Sequence, residues 1–206
     1  MYIPAAFAEN RLPVLHAFMR KHSFASIITA GPDGAIASHV PVVLIPNRGE
    51  YGTLQLHVAR ANEQRKDLAA GSTALVMFNG PHAYVSAAWY KNAVNVPTWN
   101  YVTVHAYGKA RELDDPQLNE HLHQLVATYE PADGWSMDRV PPQAIEGRRR
   151  NIVGIEIEIT RLESKWKLGQ NRSAEDVRGA ILGLRQRGDQ DSMMIAELMS
   201  AAADRV

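Results

Sequence analysis

The stretch VPTWNYVTVHAYG, residues 96–108, decides how the rest of the chain is read. At the two-residue period of a strand, Trp99, Tyr101, Thr103, His105 and Tyr107 share one face, and Asn100, Val102, Val104 and Ala106 share the other. An ordinary half-buried strand alternates apolar with charged residues, whereas both faces here suit contact. One long strand, continuing to Glu112, must therefore be covered on both sides, and its aromatic face needs a partner.

Working outward, SFASIITA (23–30) is a short apolar run closed by the turn signal GPDG (31–34), and AIASHVPVVLI (35–45) reads as its hairpin partner. PNRGEYG (46–52) is a second turn, and TLQLHVAR (53–60) alternates with Leu54, Leu56 and Val58 on one face. A helix is predicted from Asn62, whose side chain can cap the free N–H groups of NEQRKDLAAG, and Gly71 ends it. STALVMFNG (72–80) and HAYVSAAWY (82–90) read as two strands around Gly80-Pro81. DDPQLNEHLHQLVATYE (114–130) is the clearest helix, with Asp115 as cap, Pro116 in the first helical position, and Leu118, Leu122, Leu125, Val126 and Tyr129 as its buried stripe. A shorter helix spans 142–150. IVGIEIEITRLESKW (152–166) is again a strand, with Ile155, Ile157 and Ile159 inward and Glu156 and Glu158 outward. Past Lys167 the pattern turns helical, at 174–187 and 190–203, with Ser173 and Asp176 at capping-box spacing and Gly188-Asp189 as the break. Six or seven strands in hairpin order with short inserted helices predict an α+β, mainly β fold, a closed antiparallel barrel over 1–168. The helical pair in 169–206 is expected to pack on its outside.

The 206 residues are 46% hydrophobic and 21% charged, the composition of a globular chain with a sizeable core. With 22 basic and 22 acidic residues the formal net charge is zero, so the balance calls for neither nucleic acid nor an acidic membrane. The lack of cysteine excludes disulfides, thiolate metal sites and iron–sulfur clusters. MYIPAAFAENRLPVL has no basic and then apolar leader pattern, and the apolar runs fall well short of the ~20 residues of a membrane span. A cytoplasmic protein is expected.

Three segments carry candidate chemistry. HVARANEQRKDL (57–68) joins a strand end to a helix start, where unpaired N–H groups, the Arg60 fork, Asn62 and the Lys66 charge would cradle a phosphate. The same spacing also describes a solvated helix start. Trp99 and Tyr101 could line a flat aromatic ligand, with Asn100 offering a donor and an acceptor, or they could lie in a dimer interface, where such residues are common. KWKLGQNRSAED (165–176) sets Gln170, Asn171 and Arg172 beside Trp166, as a site or as a loop-to-helix joint. The eight histidines form no metal pattern: His121 and His123, two apart on a helix, point different ways and read as surface or interface residues. GxSxG, GxGxxG and P-loop motifs are missing. GAILG (179–183) has the spacing of close helix packing, and Arg148-Arg149-Arg150 reads as a solvated helix end.

Taken in order, MYIPAAF, SHVPVVL (38–44), HVARANEQRKDL, FNGPHAYVSAAWY (78–90), VPTWNYVTVHAYG and IVGIEIEITRLESKWKLGQNR (152–172) resemble the PaiB-type FMN-binding negative transcriptional regulators. PHAYVS and VPTWNY are the specific parts. The resemblance implies an FMN-binding split β-barrel, of the kind shared with pyridoxamine-phosphate oxidases and flavin reductases, working as a homodimer with FMN at the subunit interface. It implies Arg60, Asn62 and Lys66 as phosphate ligands, His39 and Trp99 at the isoalloxazine wall, and Gln170 and Arg172 reaching across the interface. Glu63 replaces the usual proline after RAN, Arg65 a common tryptophan, Ala87-Ala88 a more polar pair, and Gly169 a serine. Negative transcriptional regulation follows from the resemblance, with DNA contact direct or through another protein. The residues from Lys167 onward carry six Lys/Arg against six Asp/Glu, without the basic excess of a DNA reader. The alternatives are a flavin-dependent oxidoreductase, in which His39, His57 or His105 would serve acid–base chemistry, and a flavin or haem sensor without turnover.

Overall fold

The structure, a computed structural model, describes residues 1–31, 34–92 and 94–203. In chain order its helices are α1 (Leu12–Lys21), α2 (Arg65–Ala69), α3 (Asp115–Tyr129), α4 (Pro142–Arg149), α5 (Ala174–Arg187) and α6 (Gln190–Ala203). Its strands are β1 (Phe24–Gly31), β2 (Gly34–Pro41), β3 (Val43–Ile45), β4 (Thr53–Ala59), β5 (Thr73–Val85), β6 (Thr98–Glu112) and β7 (Ile152–Lys167). The seven strands form one sheet in the order β2-β1-β5-β6-β7-β4-β3. β1 and β2 pair antiparallel from Phe24↔Pro41 to Gly31↔Gly34. Pro32 and Asp33, the centre of the expected GPDG turn, lie outside the described residues.

Several elements differ from their sequence reading, each for a local reason. The run 35–45 is two strands, because Pro41 has no N–H and the Val42 N–H turns instead to the Ser23 carbonyl at 2.8 Å. β3 then leaves β1 and pairs with β4. Conversely, 73–85 is a single strand running through Gly80-Pro81. The ladder that β1 lends to β5 covers only Leu75–Met77, so Pro81 stands past its end, where a residue without an N–H is tolerated. The segment 87–89 closes into a 3₁₀ turn rather than extending as strand. α3 is capped by Asp114 rather than Asp115, in a full capping box with Gln117. Tyr129, expected in its buried stripe, is 54% exposed. Glu156, expected outward, is buried: Arg111 at 2.5 Å, Arg48 and the Gln55 amide at 2.8 Å hold its carboxylate.

The chain divides into two compact units, one of residues 16–78 and 105–162, the other of residues 1–15, 79–104 and 163–206. β5, β6 and β7 each contribute to both. In the first unit β4 pairs with β7 from Thr53↔Glu158 to Ala59↔Ile152, bringing Leu54, Leu56, Ile155 and Ile157 into a core with Ile27, Val76 and Phe78. Each such side chain, fully removed from water, contributes roughly 1.5–3 kcal/mol. In the second unit α5 and α6 pack against each other through Ala180, Leu184, Ile195 and Ala196. The GAILG spacing has the meaning expected of it. A Cβ on Gly179 would lie 2.0 Å from the Trp89 carbonyl oxygen and one on Gly183 2.2 Å from its indole, so α5 meets the 87–89 turn with no room for a side chain.

Candidate functional site

The phosphate segment lies in the first unit, where β4 runs into α2. Asn62 Oδ1 accepts the Gln64 N–H at 3.0 Å, a local turn that delays the helix to Arg65 and leaves α2 five residues long. The same amide donates from Nδ2 to Ser38 Oγ at 2.9 Å, tying the segment to β2. Gln64 completes the tie. Fully buried, it donates from Nε2 to the carbonyls of Ile27 at 3.0 Å and Ile36 at 2.9 Å. One turn on, Asp67 Oδ2 accepts from Thr29 at 2.9 Å. One face of the β1–β2 hairpin is thus bound to α2 through Ile27, Thr29, Ile36 and Ser38.

The predicted ligands around this joint are not equally placed. Arg60 donates from Nε to the Arg150 carbonyl at 2.7 Å and from Nη2 to the Ile152 carbonyl at 3.0 Å, leaving further N–H groups of its fork for other acceptors. Lys66 reaches back to Glu63 at 2.6 Å on the surface and holds that carboxyl below the usual range. The carboxylate that replaces the family's proline is therefore already answered by a cation. His39 follows Ser38 on β2 and so faces the other way, exposed, with Nδ1 at 2.9 Å from Ser26 Oγ. Asn62 and His39 thus stand on opposite faces of the hairpin. Arg60, Lys66, the Asn62 amide and Ser38 are donor types that phosphate binding uses, with the Lys66 ammonium already paired to Glu63 and one Asn62 N–H given to Ser38. Sequence reasoning missed Gln64, whose position two residues after Asn62 was the available signal. Its Oε1 is buried without a hydrogen-bond partner among the described residues.

Trp99, Gln170 and Arg172 belong to the second unit. Trp99 is 53% exposed and forms a ledge with His82 and Tyr84, at ring separations of 5.9 and 6.1 Å. On the opposite face Asn100, Val102 and Val104 are buried, as the two-residue period requires. The aromatic face of β6 meets cations. In the second unit the Lys165 ammonium lies 5.4 Å from the Tyr101 ring centre, and in the first the Arg161 guanidinium lies 3.6 Å from that of Tyr107. Gln170 closes its own loop, accepting the Leu168 N–H at 2.8 Å and donating to the Trp166 carbonyl at 2.6 Å. Arg172 bonds Asn95 and lies 5.1 Å from the Tyr90 ring centre. Beside it, buried Asp176 accepts from the N–H groups of Asn92 and Lys91 and from the Asn95 amide, which hold its carboxyl below the usual range. These contacts fix the loop before α5, and sequence reasoning saw Asp176 only as capping spacing.

Two histidines give the first unit an unexpected feature. His121, expected at the surface or in an interface, is fully buried on α3, with Nε2 at 3.2 Å from Nδ1 of His57 on β4. Burial, then the neighbouring His57, push its pKa down to about 4, and burial lowers His57 as well. Both rings are neutral near pH 7, one donating to the other. His105 packs edge-on to Tyr107 at 6.5 Å.

The architecture is that of the split β-barrel class. The flavocytochrome Anf3 from Azotobacter vinelandii superposes with a TM-score of 0.62 at 15% identity, covering 84% of this chain and 75% of that one. The FAD and heme binding protein from Mycobacterium smegmatis gives 0.60 at 13% identity, covering 83% and 78%. At these identities the likeness is one of fold alone. The particular lineage comes from sequence: the chain belongs to the family described as "Putative FMN-binding domain", which matches residues 1–161. It is also 34% identical over 203 residues to the protease synthase and sporulation protein PAI 2 of Bacillus subtilis (strain 168), covering 97% of this chain and 96% of that protein. FMN is the cofactor that goes with this membership.

Proposed function

We propose that the protein holds FMN by its phosphate at the β4–α2 joint and acts as a homodimeric negative transcriptional regulator in the cytoplasm. The observation that carries the flavin placement is the donor set at that joint, anchored to the β1–β2 hairpin by Asn62 and Gln64. Arg60 and Lys66 supply charge, Asn62 and Ser38 supply directed donors, and the ring system of FMN, when bound, supplies two-electron or one-electron redox capacity. In the dimer, Gln170, Arg172 and Trp99 of one copy are the residues offered to the flavin of the other, while His39 lies on the hairpin face opposite Asn62. The regulatory role is supported by the PAI 2 relative, whose name ties it to protease synthesis and sporulation. With zero formal net charge and no basic excess from Lys167 onward, the chain reaches DNA through a protein partner. The C-terminal pair, 169–206, is a helical extension, a reading supported by the family match ending at residue 161.

Two measurements test this reading. Flavin fluorescence should be quenched saturably, at one FMN per chain, when the full chain is added. Promoter DNA should migrate unchanged with the chain alone at 50 mM salt; a salt-sensitive shift would contradict the partner-mediated mode.

A further inference from the structure

α5, α6 and the loop from Leu168 to Arg172 surround a groove of about 610 Å³ in the second unit. That volume lies within the roughly 300–1,000 Å³ of clefts that take small molecules, and such clefts combine an apolar lining with a few placed polar groups. The apolar lining here is Ile181, Leu182 and Met199 with the alanines at the end of α6. The charged residues lining it are three arginines, Arg172, Arg178 and Arg185, and none of the described residues lining it is a carboxylate. The three are not equivalent. Arg172 is held by Asn95 and Tyr90, and Arg185 gives one N–H to Ser200 Oγ at 3.4 Å. Arg178 is exposed and makes no hydrogen bond or ion pair with another of the described residues. Arg178, Leu182 and Arg185 follow at helical i, i+4, i+7 spacing, so the leucine, 59% exposed, stands on the same face between two cations.

We propose that this groove binds a medium- or long-chain carboxylate, with the head on Arg178 and the alkyl chain over Leu182, Ile181 and Met199. A single uncommitted guanidinium matches a single carboxylate, because its planar fork pairs with both oxygens. The apolar lining matches an unbranched chain, and the all-arginine charge excludes a cationic head. The groove lies wholly outside the 1–161 segment of the FMN-binding family, and the proposal does not rest on the flavin placement.

The test is calorimetric titration of the full chain with sodium dodecanoate below its micelle concentration, beside 1-dodecanol, for the native protein, Arg178→Ala and Leu182→Glu. Both substituted side chains are exposed, and circular dichroism checks that each variant folds. The native protein should take up dodecanoate saturably, one per chain. Arg178→Ala should bind at least about tenfold more weakly, the scale of one charge-assisted hydrogen bond, and so should the alcohol on the native chain. Leu182→Glu, which puts a carboxylate beside the head, should abolish binding. Absence of saturable binding to the native chain would overturn the proposal, as would equal affinity for the alcohol or indifference to both substitutions. Displacement of dodecanoate by FMN would give the groove to the flavin, and binding of an acidic amphipathic peptide in place of dodecanoate would give it to a protein; either would also overturn it.

Discussion

His121 falls three residues after Leu118 and one before Leu122, on the apolar stripe of α3, while His123 points out and is exposed. The apolar stripe is therefore the sequence signal for its burial, which the two-residue spacing to His123 does not carry. Its consequence is a pH dependence of stability. The folded pKa of about 4 lies below the ordinary histidine value near 6.5, so the unfolded chain takes up the proton first. The stabilisation is whole above about pH 6.5 and is lost as pH falls from there toward about 4, by up to ~3 kcal/mol. Urea midpoints should drop over this window in the native protein and drop less in His121→Leu; equal slopes would remove His121 as the cause. Other residues were hidden for a different reason. The carbonyl partners of Arg60 come from Arg150 and Ile152, ninety residues away, and Glu156 is covered by arginines from two other segments. Local periodicity carries no information about such pairings.

Elements whose ends are set locally were readable, and those whose ends are set by tertiary contact were not. Both C-terminal helices fall on their predicted bounds because Ser173 caps one and Gly188, left-handed at φ 76°, separates them. α2 failed this test, since an asparagine turn occupies the residues expected to begin it. β5 passes through a Gly-Pro pair that would ordinarily end a strand, and nothing local announces where its ladder with β1 stops. The contact of α5 with Trp89 gives a prediction at this scale. Gly183→Ala forces a Cβ into the indole and should cost roughly 1–3 kcal/mol by overpacking. Gly147→Ala, in α4 with nothing within 4 Å, should instead be neutral or stabilise by up to about 1 kcal/mol. Urea unfolding of both variants checks the pair, and a Gly183→Ala protein as stable as the native one would contradict the packing described.

For the whole molecule, the mainly β class is legible in the sequence, whereas the strand count agrees only because 35–45 splits in two while 73–85 joins into one, and the strand order depends on which long strands neighbour each other across the sheet. Among the described residues no helix is long and apolar enough to cross a membrane. Of the segments resembling the PaiB-type family, MYIPAAF lies outside the sheet in a stretch ending in a 3₁₀ turn, and the others sit mainly on β2–β3, the β4–α2 joint, β5, β6 and β7. The central claim is that this scaffold holds the FMN phosphate at the β4–α2 joint. The most direct measurement is a flavin fluorescence titration of the native chain, Lys66→Ala and Arg60→Ala with FMN and, in parallel, with riboflavin, which lacks the phosphate. FMN should bind the native chain more tightly than riboflavin, and each substitution should weaken FMN by about tenfold, ~1.4 kcal/mol, while leaving riboflavin unchanged. Equal losses for both ligands, or FMN binding untouched by either substitution, would place the phosphate elsewhere.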